Sequence, residues 1–272
     1  ETYFNSIENG QPLFLMPNPF PTATATASIA SQSTSGYPME TTNGYIQQFN
    51  VTIERQVGDV GLRLSYVGSR TSGFNYNLSI NKPMPSLIRF SQDRRPYPQF
   101  VNASVARTNG EAKYNSLTFE ARRRVGSLTF DSFWTWGHNM SNYLNLENPY
   151  EPNFWNREAT TPRHRVVINA LWDVPVGRGK RFLAGTPGVL NHVIGGWTIG
   201  WLGVMQTGQF FSPSFSGSDP SNTNSSGGRP DRICNGNLPA GERALGRWFD
   251  SSCFAVPPAG RFGNAGMNIL EG

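Results

Sequence analysis

The chain has 272 residues but no run of 18 apolar ones, which excludes a transmembrane helix. No stretch of ten or more residues keeps a 3.6 period, which argues against helix bundles and doubly wound α/β folds. Only 15% of residues are charged and 37% hydrophobic, both low for an ordinary soluble domain. The three histidines, His138, His164 and His192, are far apart, and none sits in a metal-binding H-x-x-x-H pair. No G-x-S-x-G elbow occurs. The basic turn "VGRGKR" (176–181) has Val174 in place of the first glycine of a phosphate loop and Arg181 in place of its hydroxyl residue. The oxygen-rich "SGSDPSNTNSSGGRPD" (216–231) lacks the ligand order of a calcium loop. No nucleophile, base or metal set is in place, so the chain is read as not an enzyme and no cofactor is expected. The net charge is +5, but charge alone is non-specific and no nucleic-acid-binding signature accompanies it, so no nucleic-acid partner is expected. Cysteine is nearly absent. Cys234 and Cys253 lie 19 apart in one long polar loop. Paired, they would staple that loop by on the order of 3 kcal/mol in the chain-entropy model and imply an oxidising compartment; two free thiols are the alternative.

Glycine (29), proline (20) and aromatics (12%) are plentiful, a mix that suits β-structure with long polar loops. The segment "YNSLTFEARRRVGSLTFDSFWTWGHN" (114–139) alternates as a hairpin. Leu117, Phe119 and Ala121 share one face of its first strand, and Leu128, Phe130, Trp134 and Trp136 one face of its second. Similar alternation predicts strands from Tyr45, from Val60, over about 163–174 and over about 195–209. Residues 1–43 read as loop, 44–210 as about six long antiparallel strands, and 211–272 as a long extracellular loop and the start of a further strand. The stretches of about 70–110 and 145–164 read as irregular, and the connections after strands one, three and five as shorter than those after two, four and six.

Strands of this length exceed the usual five or six residues. Short turns at one end and long loops at the other are the asymmetry of outer-membrane barrels. The expected fold is all-β: a fragment of an antiparallel transmembrane β-barrel with short periplasmic turns and long extracellular loops. Leu62, Leu117, Phe119, Phe130 and Ile168 are expected to face lipid, and Tyr66, Trp134, Trp136, Trp172 and Trp197 to form the aromatic girdles. The mean hydropathy of -0.42 fits such a barrel. It also fits the alternative, a secreted β-rich module that binds carbohydrate or mediates adhesion.

Several segments carry a family resemblance: "NGYIQQFNVTIERQVG", "LSYVGSRTSG", "YNSLTFEARRR", "SFWTWGHNMSN", "HRVVINALWDVPVGRGKRF", "GGWTIGWLGVMQTGQFFSP" and "RWFDSSCFAVPPAGRFGNAGMNIL". In this order they resemble the barrel of TonB-dependent receptors, of the Oar-like group whose members begin with a carboxypeptidase-regulatory-like domain. The resemblance runs from about Asn43 to Leu270. It implies a Gram-negative outer-membrane location, contact with outer-membrane lipid, and a 22-stranded barrel plugged by a separate domain. It also implies energy-coupled uptake, driven through TonB, of an unidentified small molecule, saccharide or peptide. Aromatic and arginine side chains on exposed loops suit ligand capture; Tyr97, Tyr150, Trp155, Arg157 and Phe211 are the candidates. No plug or TonB box is recognised, so the TonB partner belongs to a missing N-terminal part. Both ends read as cut, and the chain is expected to be an internal piece of the barrel.

Overall fold

Period-two alternation becomes one continuous antiparallel sheet. A computed structural model describes residues 7–8, 11–12, 32–144 and 147–272. Most of the predicted N-terminal loop (1–43) lies outside them. A two-residue ladder joins β1 (Ile7–Glu8) to β2 (Gln11–Pro12). β3 (Ser33–Gly36) is a short strand. The long strands are β4 (Tyr45–Val57), β5 (Val60–Ser79), β6 (Asn102–Arg123), β7 (Leu128–Ser141), β9 (His164–Asp173) and β10 (Thr198–Gln206). Their spatial order is β10-β9-β7-β6-β5-β4, so consecutive long strands are neighbours throughout. The two-residue β8 (Asn156–Arg157) extends the sheet beside the end of β7. Where β6 outruns β7, β3 pairs with it in parallel.

Two predicted boundaries need correction. β5 runs 20 residues and β6 runs 22, so 70–79 and 102–110 are strand rather than irregular chain. At about 3.3 Å per residue β5 is roughly 65 Å long, about twice a single tilted bilayer crossing of 9 to 11 residues. Its register with β6 shifts between Ser72 and Phe74 and again between Phe74 and Tyr76. These are bulges that bend the strand as it leaves the flat part of the sheet.

The connections also differ from expectation at one place. Gly58, at a φ of 56°, and Asp59 make the tight β4–β5 turn, and 124–127 the β6–β7 turn. The third connection at that end, 174–197, is longer than 80–101 or 142–163 at the other. It contains α1 (Gly188–Ile194), whose Val189, Leu190 and Val193 are exposed.

At the opposite end 80–101, 142–163 and 207–272 fold against one another as a cap. It holds short ladders: β11 (Phe210–Phe211) with β16 (Leu270–Glu271), β12 (Phe215–Ser216) with β13 (Gly227–Gly228), and β14 (Asp231–Arg232) with β15 (Phe254–Ala255). Many of the most enclosed side chains belong to this cap and are polar. Asn81 and Asn156 are almost fully buried. Asn81 accepts from the Tyr97 N–H and donates to the Phe100 carbonyl. Buried polar groups are tolerable when bonded in this way.

Candidate functional site

Cross-strand register assigns every residue of the sheet to one of two faces. One paired row reads Ile53–Leu64–Phe119–Trp134–Val166–Met205, and the next Val51–Tyr66–Leu117–Trp136–His164. Nearer the turns come Leu62–Ala121–Ser132–Ile168 and Phe130–Ala170–Trp201. Leu62, Leu117, Phe119, Phe130 and Ile168 therefore share one face. So do Tyr66, Trp134, Trp136 and Trp172, and the period of β10 carries Trp197 to the same side. Among the described residues no second sheet or helix covers this surface, and Phe119 stays 43% exposed and Trp201 64%.

The other face carries hydroxyls and ion pairs. The Arg63 guanidinium donates to Glu54 at 2.6 Å and to Glu120 at 3.2 Å. The hydroxyls of Thr52 and Ser65 are 3.0 Å apart, as are those of Thr118 and Thr135. Charged groups line the same sheet whose reverse is greasy, an arrangement that suits hydrocarbon on one side and water on the other.

The apolar face turns polar towards the cap. Above Trp136 the rows become Asn115–His138, then Arg70–Lys113–Met140–Arg157. Arg70 lies over the Phe49 ring, and Lys113 Nζ is 4.0 Å from the centre of the Trp155 ring. Beside this row is an open cleft of about 500 Å³, lined by His138, Trp155, Arg157, Arg163, Phe210 and Glu271 among others. Arg157 stands 4.4 Å over the Phe210 ring. Burial, reinforced by the neighbouring Arg163, holds the Arg157 guanidinium below its ordinary pKa, with Glu271 acting in the opposite sense.

Of the five ligand-contact candidates, the structure brings Trp155 and Arg157 together in this cleft. Phe211 packs against Phe249 instead; its neighbour Phe210 lines the cleft. The Tyr150 hydroxyl donates to the Lys82 carbonyl and Tyr97 anchors on Asn81, both elsewhere in the cap. Arg163 and Phe210 were missed because only tertiary pairing brings them beside Arg157: β7 pairs with both β8 and β9, and the Phe210 N–H donates to the Ala159 carbonyl. Among the described residues no group of three or more His, Cys, Asp or Glu gathers as a metal site. Cys234 and Cys253 form a disulfide next to the β14–β15 ladder.

Long antiparallel strands with one apolar and one polar face, capped by loops at one end, define the wall of a transmembrane barrel. The chain belongs to the outer membrane beta barrel domain family, whose model matches residues 1–272. It is accordingly a protein of the bacterial outer membrane, in contact with its lipid. No curated protein and no solved structure matches it.

Proposed function

We propose that this chain forms wall and extracellular cap of a TonB-dependent receptor that takes up an unidentified solute across the outer membrane. The observation that carries the reading is the pairing of an amphipathic wall with a hydrogen-bonded cap built from three separate loops. Glu147 joins all three: its carboxylate accepts from the Arg229 N–H and, at 2.8 Å, from the Arg229 guanidinium, while its carbonyl accepts from Lys82. In this reading Leu62, Leu117, Phe119, Phe130 and Ile168 meet lipid. Tyr66, Trp134 and Trp136 form the outer girdle, and Trp172 and Trp197 the periplasmic one. The ion-paired face lines the lumen. Exposed cap aromatics, Tyr97, Tyr150 and Phe211, are the surfaces left for solute capture. The reading assigns no covalent chemistry to the chain, and it requires a plug and a TonB-contacting segment outside residues 1–272.

The test is binding of the full-length gene product, extracted from outer membranes, to the purified periplasmic domain of TonB. Saturable co-purification, together with loss of solute uptake when TonB is inactivated in the host, supports the receptor. A full-length protein that sits in the outer membrane but neither binds TonB nor depends on it is a barrel of another kind, such as a passive channel.

A further inference from the structure

The second row above Trp136 is unusual in its charge. Arg70, Lys113 and Arg157 share it, and Arg163 and Arg232 border the adjoining cleft. Among the described residues Glu271 supplies the one carboxylate lining that cleft, paired to Arg163 at 3.0 Å. Among the described residues Arg70, Lys113, Arg157 and Arg232 have no acidic partner; Arg70 donates to the carbonyls of Ser69 and Tyr114 and to the Asn115 side chain. Two nitrogens are left over. Arg157 Nη1 is buried with no hydrogen-bond partner. Arg163 Nε, although close to Glu271, is out of line for a hydrogen bond. Buried donors in this state are costly unless an acceptor arrives.

Position says what kind of acceptor. Arg157 is paired with Met140, four residues beyond Trp136 on the apolar side of the wall. That is about 13 Å further along the strand, where a girdle residue gives way to the headgroup layer. Guanidinium groups match phosphate oxygens in a planar, bidentate manner. A cleft of about 500 Å³ has room for one such headgroup.

We propose that the Trp155–Arg157–Arg163–Phe210 cleft holds the phosphate of an outer-leaflet lipid headgroup, with Lys113 and Arg70 extending the contact along the wall. The inference rests on the reading that the face bearing Trp136 looks into lipid. On binding, the two guanidiniums turn their unpaired nitrogens, Arg157 Nη1 and Arg163 Nε, into the cleft to donate to the phosphate, and the acyl chains lie down the apolar rows over Trp136 and Leu117.

The experiment uses full-length protein reconstituted in phosphatidylcholine vesicles, with lipid retention after detergent extraction read by native mass spectrometry. The probes are diphosphorylated lipid A, its fully dephosphorylated form, and inorganic phosphate. Retention of the phosphorylated lipid alone, falling at least tenfold in the Lys113→Gln, Arg157→Gln double variant, is expected. Equal retention of both lipid forms, or no loss in the double variant, overturns the proposal. Protection by millimolar inorganic phosphate equal to that by the lipid also overturns it, in favour of a soluble phosphorylated ligand. Because Arg157 packs on Phe210, the single Lys113→Gln change is run as well; it leaves that stack intact and is expected to lower retention in part. A fluorophore on Phe119→Cys with brominated lipid separates the two readings. Quenching without lipid A retention removes only the headgroup site, whereas no quenching removes the face assignment beneath it.

Discussion

Phe119 and Thr118 are adjacent in sequence and serve opposite solvents. Phe119 lies between Leu64 and Trp134, whereas Thr118 reaches the Thr135 hydroxyl. Substituting arginine on the two sides therefore has unequal effects. Phe119→Arg, near the middle of the apolar rows, is expected to destabilise the membrane-embedded protein by roughly 2–4 kcal/mol. Ser65→Arg, on the hydroxyl-bearing face, should stay within about 1 kcal/mol, since a lumenal charge keeps its water. Urea titration of both full-length variants in lipid vesicles makes the comparison, and equal losses would mean that the faces are not distinct. A second residue-scale prediction concerns Asp219 in the cap. Burial pushes its pKa up, but the Ser221 hydroxyl and the backbone N–H groups of Ser225, Thr223 and Asn224 outweigh burial and hold it below the usual carboxylate range. A folded value below the unfolded one means stability that is complete above the ordinary Asp value of about 3.9 and is lost as pH falls through the lower, folded value. Hydrogen-exchange protection at Asn224 and Ser225, whose N–H groups bond Asp219, should thus be high at neutral pH and collapse in acid. In Asp219→Asn it should be lower at neutral pH and no longer respond to acid.

Among the elements, β5 shows best what alternation conveys and where it stops. From Val60 to Tyr66 every second residue is apolar because one face meets a single uniform environment, and the strand is legible in the sequence. Beyond Arg70 "TSG" interrupts the alternation; it resumes at Phe74, Tyr76 and Leu78, of which Tyr76 and Leu78 are buried, but the two register shifts separate this stretch from the first. The same applies to 102–110 of β6. The 174–197 connection read as shorter than the loops at the other end, its glycines and prolines giving no sign of α1. In the cleft, Trp155 and Arg157 were legible as exposed loop residues, but Arg163 joins them through the pairing of both β8 and β9 with β7, and Phe210 through its N–H bond to the Ala159 carbonyl. One residue of strand parity decides why Phe210 lines the cleft and Phe211 does not. The bend in β5 yields a testable element. Gly73 has a φ of 82°, and a Cβ there would sit 2.5 Å from Gly44 Cα, a backbone atom that cannot swing aside. Gly73→Val should cost roughly 1–3 kcal/mol through strain at that φ alone. Its effect should be confined to the cap end, where added protease should nick the 80–101 and 142–163 loops while the wall stays intact. Unchanged protease resistance would show that the bend tolerates a side chain.

For the molecule as a whole, the border between apolar and polar rows gives the slant of the wall. On the face that carries the tryptophans, the first polar or charged side chain above the apolar zone is Arg70 on β5, Asn115 on β6, His138 on β7 and His164 on β9. By register the border drops four residues, about 13 Å, between β5 and β9, which are three strand spacings or about 14 Å apart. A membrane surface is flat, so a border that slants across the strands means that the strands slant across the membrane, here by about 40°. Closed barrels require this range, because their strands tilt by about 35–45° from the axis. The tilt was never imposed on the residues; it emerges from where charge replaces hydrocarbon on four neighbouring strands. Polarised infrared spectroscopy of the full-length protein in oriented bilayers should accordingly return a mean strand tilt of 35–45° from the amide I dichroism. A tilt below about 20° would place Arg70 and His164 at different depths and break the border. The outer girdle, the lumenal ion pairs and the headgroup cleft would then lose their common frame.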